Sequence, residues 1–97
     1  MDNNIKVTHD VLSKRFYCIT GGCVSCVEYR KYKGREGIIE IYHTLVPEEL
    51  RGQGIASIIM NEVVRYVSEN GLKVVPTCSY ARKIFERDEN RHLIAHV

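Results

Sequence analysis

The residues with the clearest chemical potential are Arg51-Gly52-Gln53-Gly54-Ile55-Ala56. They stand between a strand-like run that ends at Val46 and a helix-like run that continues to Glu69. A helix start offers backbone N–H groups without intrahelical acceptors and a partial positive charge. Glycines let an anion approach that backbone closely. Arg51 adds a guanidinium able to grip two oxygens at once. The loop therefore has the parts of a diphosphate site. It lacks the Gly-Lys-Ser/Thr ending of a P-loop and the third glycine of a dinucleotide fingerprint. Taken alone, it is equally a strand-to-helix turn that needs glycine.

Two further residues could carry chemistry. His43 falls near the end of the strand-like run, and histidine is the side chain whose ordinary titration lies near neutrality, as a general base requires. Its predicted face also carries Ile39, Ile41 and Leu45, so the local pattern by itself favours a core histidine. Cys78 falls where a later strand meets a second helix. A helix start favours the thiolate, the nucleophilic form. A small buried hydrophobe is the competing reading.

The other cysteines have the spacing C-x4-C-x2-C at Cys18, Cys23 and Cys26, which is that of an iron–sulfur ligand set. They straddle Gly21-Gly22, a hairpin signal between two apolar strands. Cys23 and Cys26 then point to opposite faces of a strand and cannot share a metal. Zinc lacks a second Cys or His pair at ligand spacing. No metal is expected, and these thiols read as buried hydrophobes.

The elements that must position these residues follow from hydrophobic period. Ile5 to Val7, running into Lys14 to Ile19, reads as the first extended stretch, Cys23 to Arg30 as the second and Ile38 to Val46 as the third. Glu40, Tyr42 and Thr44 occupy the face opposite Ile39, Ile41, His43 and Leu45. Pro47 ends that strand. A helix is predicted from Gln53 to Glu69, with Ile55, Ile59, Val63 and Val67 as its core stripe and Asn70-Gly71 at its end. Leu72 to Val75 reads as a buried strand, and Ser79 to Arg87 as a shorter helix with Ser79 as N-cap. Asp88 to Val97 carries no clear signal. A helix joining the third and fourth strands makes those two parallel neighbours with a right-handed crossover. The predicted fold class is α+β: a mixed, mostly antiparallel sheet with a parallel pair and two packing helices.

Bulk properties agree with this reading. The 97 residues, 44% hydrophobic and 27% charged, suit one domain spanning 1–97. Net charge is +2, and the 14 Lys and Arg are scattered, so nucleic acid is not an expected partner. Arg30-Lys31 and Arg82-Lys83 read as solvated faces. No run approaches the ~20 apolar residues of a membrane span. Met1-Asp2-Asn3-Asn4 lacks the basic, then apolar, pattern of a secretory leader. The expected setting is the cytosol, or the nucleus by diffusion, and the expected state a monomer.

With Val46-Pro47 ahead of Arg51-Gly52-Gln53-Gly54-Ile55-Ala56, the chain resembles the GCN5-related N-acetyltransferase superfamily, whose signature is Q/R-x-x-G-x-G/A after a strand. His43-Thr44 before the loop and Thr77-Cys78-Ser79-Tyr80 after the next strand resemble its small single-domain branch, from about Phe16 to Glu86. The resemblance implies that acetyl-coenzyme A is the cofactor and an amine the acceptor, either a protein lysine or a small amine. It implies splayed parallel strands with the pantetheine arm along the backbone of Thr44, Leu45 and Val46. The pyrophosphate would rest on Gln53, Gly54, Ile55 and Ala56, with Arg51 and Gly52 beside it. His43 and Cys78 are the implied catalytic pair. A non-catalytic coenzyme A-binding module is the alternative. The chain departs from the larger acetyltransferases at Ala81-Arg82-Lys83-Ile84-Phe85, where Glu86 stands in place of their tyrosine acid.

Overall fold

The computed structural model describes residues 5–97. Met1 to Asn4, on which the leader argument rests, lie outside the described residues. A five-stranded sheet runs in the order β1-β2-β3-β4-β5, with β1 Thr8–Asp10, β2 Arg15–Thr20, β3 Cys23–Lys31, β4 Ile38–Leu45 and β5 Lys73–Pro76. Neighbours are antiparallel except β4 and β5, which are parallel and joined through α1, Ile55–Glu69. The shorter α2 spans Ser79–Phe85. The predicted fold class stands.

Gly21 and Gly22 both take positive φ, 56° and 80°, as a two-residue turn between twisted strands demands. They set the register that pairs Thr20 with Cys23 and Phe16 with Val27. Cys23 and Cys26 consequently lie on opposite faces: Cys23 packs against the core, and Cys26 pairs with Tyr17 and Leu45.

The first predicted stretch is two strands, not one. The chain reverses at Val11 to Lys14, where the Ser13 N–H donates to Asp10 Oδ1 at 3.3 Å and the Lys14 N–H to Val11 O at 3.3 Å. A side chain that accepts a nearby backbone N–H makes a turn without Gly or Pro. The C-terminal segment, unassigned from sequence, lies beside β5. Ala95 N–H donates to Val74 O at 2.8 Å, and Leu93 is buried.

α1 presents Ile55, Ile59, Met60, Val63 and Val67 to one face of the sheet, where Phe16, Cys18, Val27, Tyr29, Ile41 and Val74 meet them. α2 adds Ala81, Ile84 and Phe85 to the same core. The opposite face carries no helix among the described residues, and leaves Ile19 64% and Leu45 46% exposed. No helix of the described residues is long and apolar enough to cross a membrane.

β4 breaks the predicted alternation. Glu28 pairs with His43, but the next β3 residue, Tyr29, pairs with Ile41, so Tyr42 is an extra residue in β4. Such a bulge shifts all later side chains by one position. Ile39 and Ile41 point into the core as expected. His43, which the sequence pattern placed with them, is exposed on the open face, and Thr44 points inward.

Candidate functional site

β4 and β5 pair only from Ile38 with Lys73 to Ile41 with Pro76. β5 ends at that level. The N–H groups of Thr77 and Cys78 both donate to Ile41 O, at 3.0 and 3.1 Å, and the chain then turns into α2. β4 continues to Leu45 with no partner on that side. β4 therefore runs past the end of β5, and its free edge begins at the bulge, where two diverging strands were expected.

Cys78 stands at this fork. It is the N-cap of α2, a role the sequence reading gave to Ser79, and its Sγ accepts from the Ala81 N–H at 3.4 Å. An acceptor at this position can bind a first-turn N–H that otherwise has no intrahelical acceptor, and here a sulfur supplies it. Thr44 Oγ1 lies 3.2 Å from the same sulfur. Thr44 was expected to act through its backbone. Its side chain, turned inward by the bulge, is the group that meets Cys78, and sequence alone gave no sign of it. The two remaining strand thiols that are fully buried, Cys18 and Cys26, are pushed up from their ordinary range by loss of solvent.

His43 lies on the other side of β4, beside Glu28 and away from α1 and α2. Glu40 is committed elsewhere. It accepts from Thr77 Oγ1 at 2.6 Å and from Arg30 Nε at 3.1 Å. Those two bonds, Thr77 first, hold its carboxyl below the usual range and keep it ionised.

The glycine loop lies at the mouth of the fork. α1 begins two residues later than predicted, at Ile55, because Gly54 is left-handed with φ 77°. Only glycine takes that conformation without strain. The first helical bond runs from Ile58 N–H to Gly54 O at 3.1 Å, so the N–H groups of Ile55, Ala56 and Ser57 have no acceptor in the helix. The first turn holds no acidic side chain that would cancel its positive end. A Cβ built on Gly52 or Gly54 would meet nothing within 4 Å, so the loop's surface is open. Open space above free amides is what a diphosphate needs.

Val46, Arg51, Gly52, Gly54, Ile55 and Ala56 line one pocket of about 280 Å³, joined by Tyr80 of α2. Arg51 Nε donates to Val46 O at 3.0 Å, which ties the arginine across the loop and occupies the carbonyl expected to serve the pantetheine arm. Gln53 turns away from this pocket, its Nε2 3.5 Å from Glu49 O. Leu45 places its side chain on the open face. Tyr80, 45% exposed at the pocket's edge, stands well ahead of Glu86, the position of the tyrosine in larger acetyltransferases. Among the described residues no group of three or more His, Cys, Asp or Glu side chains could hold a metal ion.

The sequence profile of the GCN5-related N-acetyl-transferase family matches residues 15–93. The chain belongs to that family. Among relatives, it is 31% identical to Protein NATD1 of Gallus gallus over 94 residues, covering 96% of this chain and 84% of that protein. It is 35% identical to Protein NATD1 of Homo sapiens over 80 residues, covering 81% and 70%. The NMR solution structure of a GCN5-like protein from Staphylococcus aureus superposes with a TM-score of 0.73 at 26% identity, over 99% of this chain and 93% of that one. This membership gives the glycine loop and the free edge of β4 their family context: both lie inside the matched region, as do Thr44, Cys78 and Tyr80.

Proposed function

We propose that this chain binds acetyl-coenzyme A at the glycine loop and along the free edge of β4, and transfers the acetyl group to an amine. The observation that carries the reading is the open loop of Gly52 and Gly54 over the unpaired amides of α1, leading to a strand fork where Thr44 and Cys78 meet. The residues suit the ligand. Arg51 and the first-turn amides face two linked phosphates, and the unpartnered edge of β4 past Ile41 offers backbone groups to an amide-containing arm.

Bound acetyl-coenzyme A would supply an acetyl group already activated as a thioester. His43 serves as base for an acceptor amine that reaches the fork from the open face. The amine nitrogen bonds to the acetyl carbon, the carbon–sulfur bond breaks, and the surplus proton passes to His43. In the covalent route, the Cys78 sulfur would bond to the acetyl carbon as the coenzyme A carbon–sulfur bond breaks, the Cys78 proton leaving with the coenzyme A thiol; the amine would then bond to the acetyl carbon and release Cys78, which regains a proton from the amine. The hydrogen bond from Ala81 and the adjacent Thr44 hydroxyl hold its sulfur in place for this. The acceptor is a protein lysine or a small amine, and the acting unit is a monomer.

A non-catalytic coenzyme A-binding module is the second reading. It is favoured by one observation: His43 and Cys78 lie on opposite sides of β4, so no basic side chain hydrogen-bonds the sulfur among the described residues. Acetyl-coenzyme A turnover with a panel of amines separates the two. The expected result is transfer by the wild-type chain, and in Cys78→Ala a loss of about 100-fold or more in kcat with coenzyme A affinity retained. Binding without turnover would select the module. Absence of binding at millimolar acetyl-coenzyme A would remove both readings.

A further inference from the structure

Two large apolar side chains project from one end of the sheet. Val11 is 61% and Leu12 95% exposed, side by side in the turn between β1 and β2. Neither belongs to the core. The turn is closed by the Ser13 N–H on Asp10 Oδ1 and the Lys14 N–H on Val11 O, bonds that use neither apolar side chain. The fold at this turn is therefore indifferent to what stands at positions 11 and 12.

Cations gather at the same end. In an antiparallel meander the β1–β2 turn and the β3–β4 connection leave the sheet on one side. Val11 and Lys14 of the turn line a groove of about 190 Å³ together with Lys31, Glu36 and Gly37 of the connection. Lys33 and Arg35 are exposed in that connection. Its one acid, Glu36, is paired with Lys31. Lys14, Lys33 and Arg35 have no carboxylate partner among the described residues. Lys14 and Lys33 are also the only non-glycine residues with positive φ among the described residues, at 56° and 48°. That conformation favours glycine or asparagine, so lysine is kept at both places against the backbone's preference. Strain retained at an exposed position points to a use for the side chain.

A convex apolar tip flanked by cations suits a soft surface. A protein partner would need a hole shaped for Leu12. A lipid surface admits an apolar side chain at any point, and anionic headgroups attract the cations beside it. We propose that this end of the chain docks on membrane surfaces carrying anionic lipid. Val11 and Leu12 enter the boundary between headgroups and acyl chains, and Lys14, Lys33 and Arg35 lie among the headgroups. Two side chains and three cations give peripheral, reversible and salt-sensitive attachment. The glycine loop leaves the opposite end of the sheet, after β4, and so faces solution when the tip is down. The inference does not depend on what that loop binds.

The test is co-sedimentation with vesicles of phosphatidylcholine alone, or of phosphatidylcholine with about 30% phosphatidylserine, at low salt. The wild-type chain is expected to bind the anionic vesicles about 10-fold or more better than the neutral ones, and to be released by about 0.5 M salt. Val11→Ser/Leu12→Ser is expected to bind the anionic vesicles about 30-fold more weakly. Lys14→Glu/Lys33→Glu is expected to lose the preference for them. Ile19→Ser, at an exposed site beside the Gly21-Gly22 turn of the far end, is expected to bind as wild type. All these positions are exposed, and a thermal melt confirms that each variant folds. The chain has no tryptophan, so Leu12→Trp reports insertion by itself. Its fluorescence is expected to shift to the blue on anionic vesicles, and that of Ile19→Trp to stay. A wild-type chain that sediments with neither vesicle overturns the inference and leaves the tip as a contact for a protein. Unchanged binding in the Val11/Leu12 variant, an equal loss in Ile19→Ser, a preference that survives in Lys14→Glu/Lys33→Glu, or an unshifted Leu12→Trp spectrum overturns it as well.

Discussion

The two ends of α1 are built to opposite ends. At the N-terminal end, Gly54 supplies no side-chain cap, and the N–H groups of Ile55, Ala56 and Ser57 face an open pocket. At the C-terminal end, about 22 Å away at 1.5 Å per residue, little is left unpaired. Asn70 N–H and Asn70 Nδ2 both donate to Tyr66 O, at 3.1 and 2.8 Å, and Leu72 N–H closes onto Val67 O at 3.0 Å. Tyr66 itself stands edge-on to the His9 ring at 4.5 Å. His9 stacks on Phe16 at 3.9 Å, and its Nε2 lies 2.6 Å from the Tyr29 hydroxyl. Tyr29 is pushed up to about 12, chiefly by burial, so its hydroxyl keeps its proton beside the imidazole. One end of the helix spends its polar groups on the fold. The other leaves them without a partner in the fold.

This contrast is broken most strongly at the open end. Gly54→Val places a branched side chain at φ 77° and in the space above the amides. Coenzyme A affinity is expected to fall by about 100-fold or more, near 2.7 kcal/mol, as read by calorimetry. The fold loses only about 1–3 kcal/mol to backbone strain. Unchanged affinity would make the loop an ordinary turn. His9→Ala is the mirror experiment. It removes the stack on Phe16 and the bond to Tyr29, and is expected to cost about 2 kcal/mol in urea unfolding while leaving coenzyme A affinity within error. A shift in affinity would mean that the two ends are coupled.

The smallest effect is one of pH. Burial lowers His9 from its ordinary 6.5, against a weaker opposing pull from Asp10. The neutral ring is thus the form the fold prefers. Its contribution is complete above 6.5 and is lost as pH falls through the lower folded value. Of the charged groups around it, Asp10 is held below its ordinary range by the Ser13 hydrogen bonds and Arg65 above its own by Glu62, so neither supplies a step of its own. Urea midpoints for wild type should drop between pH 7.5 and 5, and by more than those of His9→Ala. An equal drop in both would move the effect to another histidine.

What could be read from the sequence was what repeats or punctuates. The Gly21-Gly22 turn, the stripe of Ile55, Ile59, Val63 and Val67, and the parallel crossover are each written in residue types at fixed spacing. The glycine loop was legible as the turn that leads into α1, because its left-handed positions call for glycine. The misses share a different cause. The turn after Asp10 uses a carboxylate in place of glycine. Cys78 caps α2 with sulfur, a less usual acceptor than the neighbouring serine. The C-terminal segment is held by the bridge of Ile94 to Val74, by Lys73 Nζ on His92 O and by the buried Leu93, none of which has a local period. The facing of His43 and Thr44 depends on one residue out of step, which depends on β3 and not on β4's own pattern.

That residue, Tyr42, makes β4 a strand whose length matters as much as its composition. Deleting it would leave His43 opposite Glu28 and Thr44 opposite Val27, each on its present face, because the extra residue is the one without a partner. What would vanish is the kink at the level where β4 and β5 stop pairing. The bulge stands directly after Ile41, the last β4 residue with a partner in β5. A chain one residue shorter would change the path of β4 past Ile41, and with it the spacing of Thr44 from Cys78, with every side chain of the site still present. For this strand an insertion or deletion, rather than a substitution, is the change that could silence the site without touching any group that lines it.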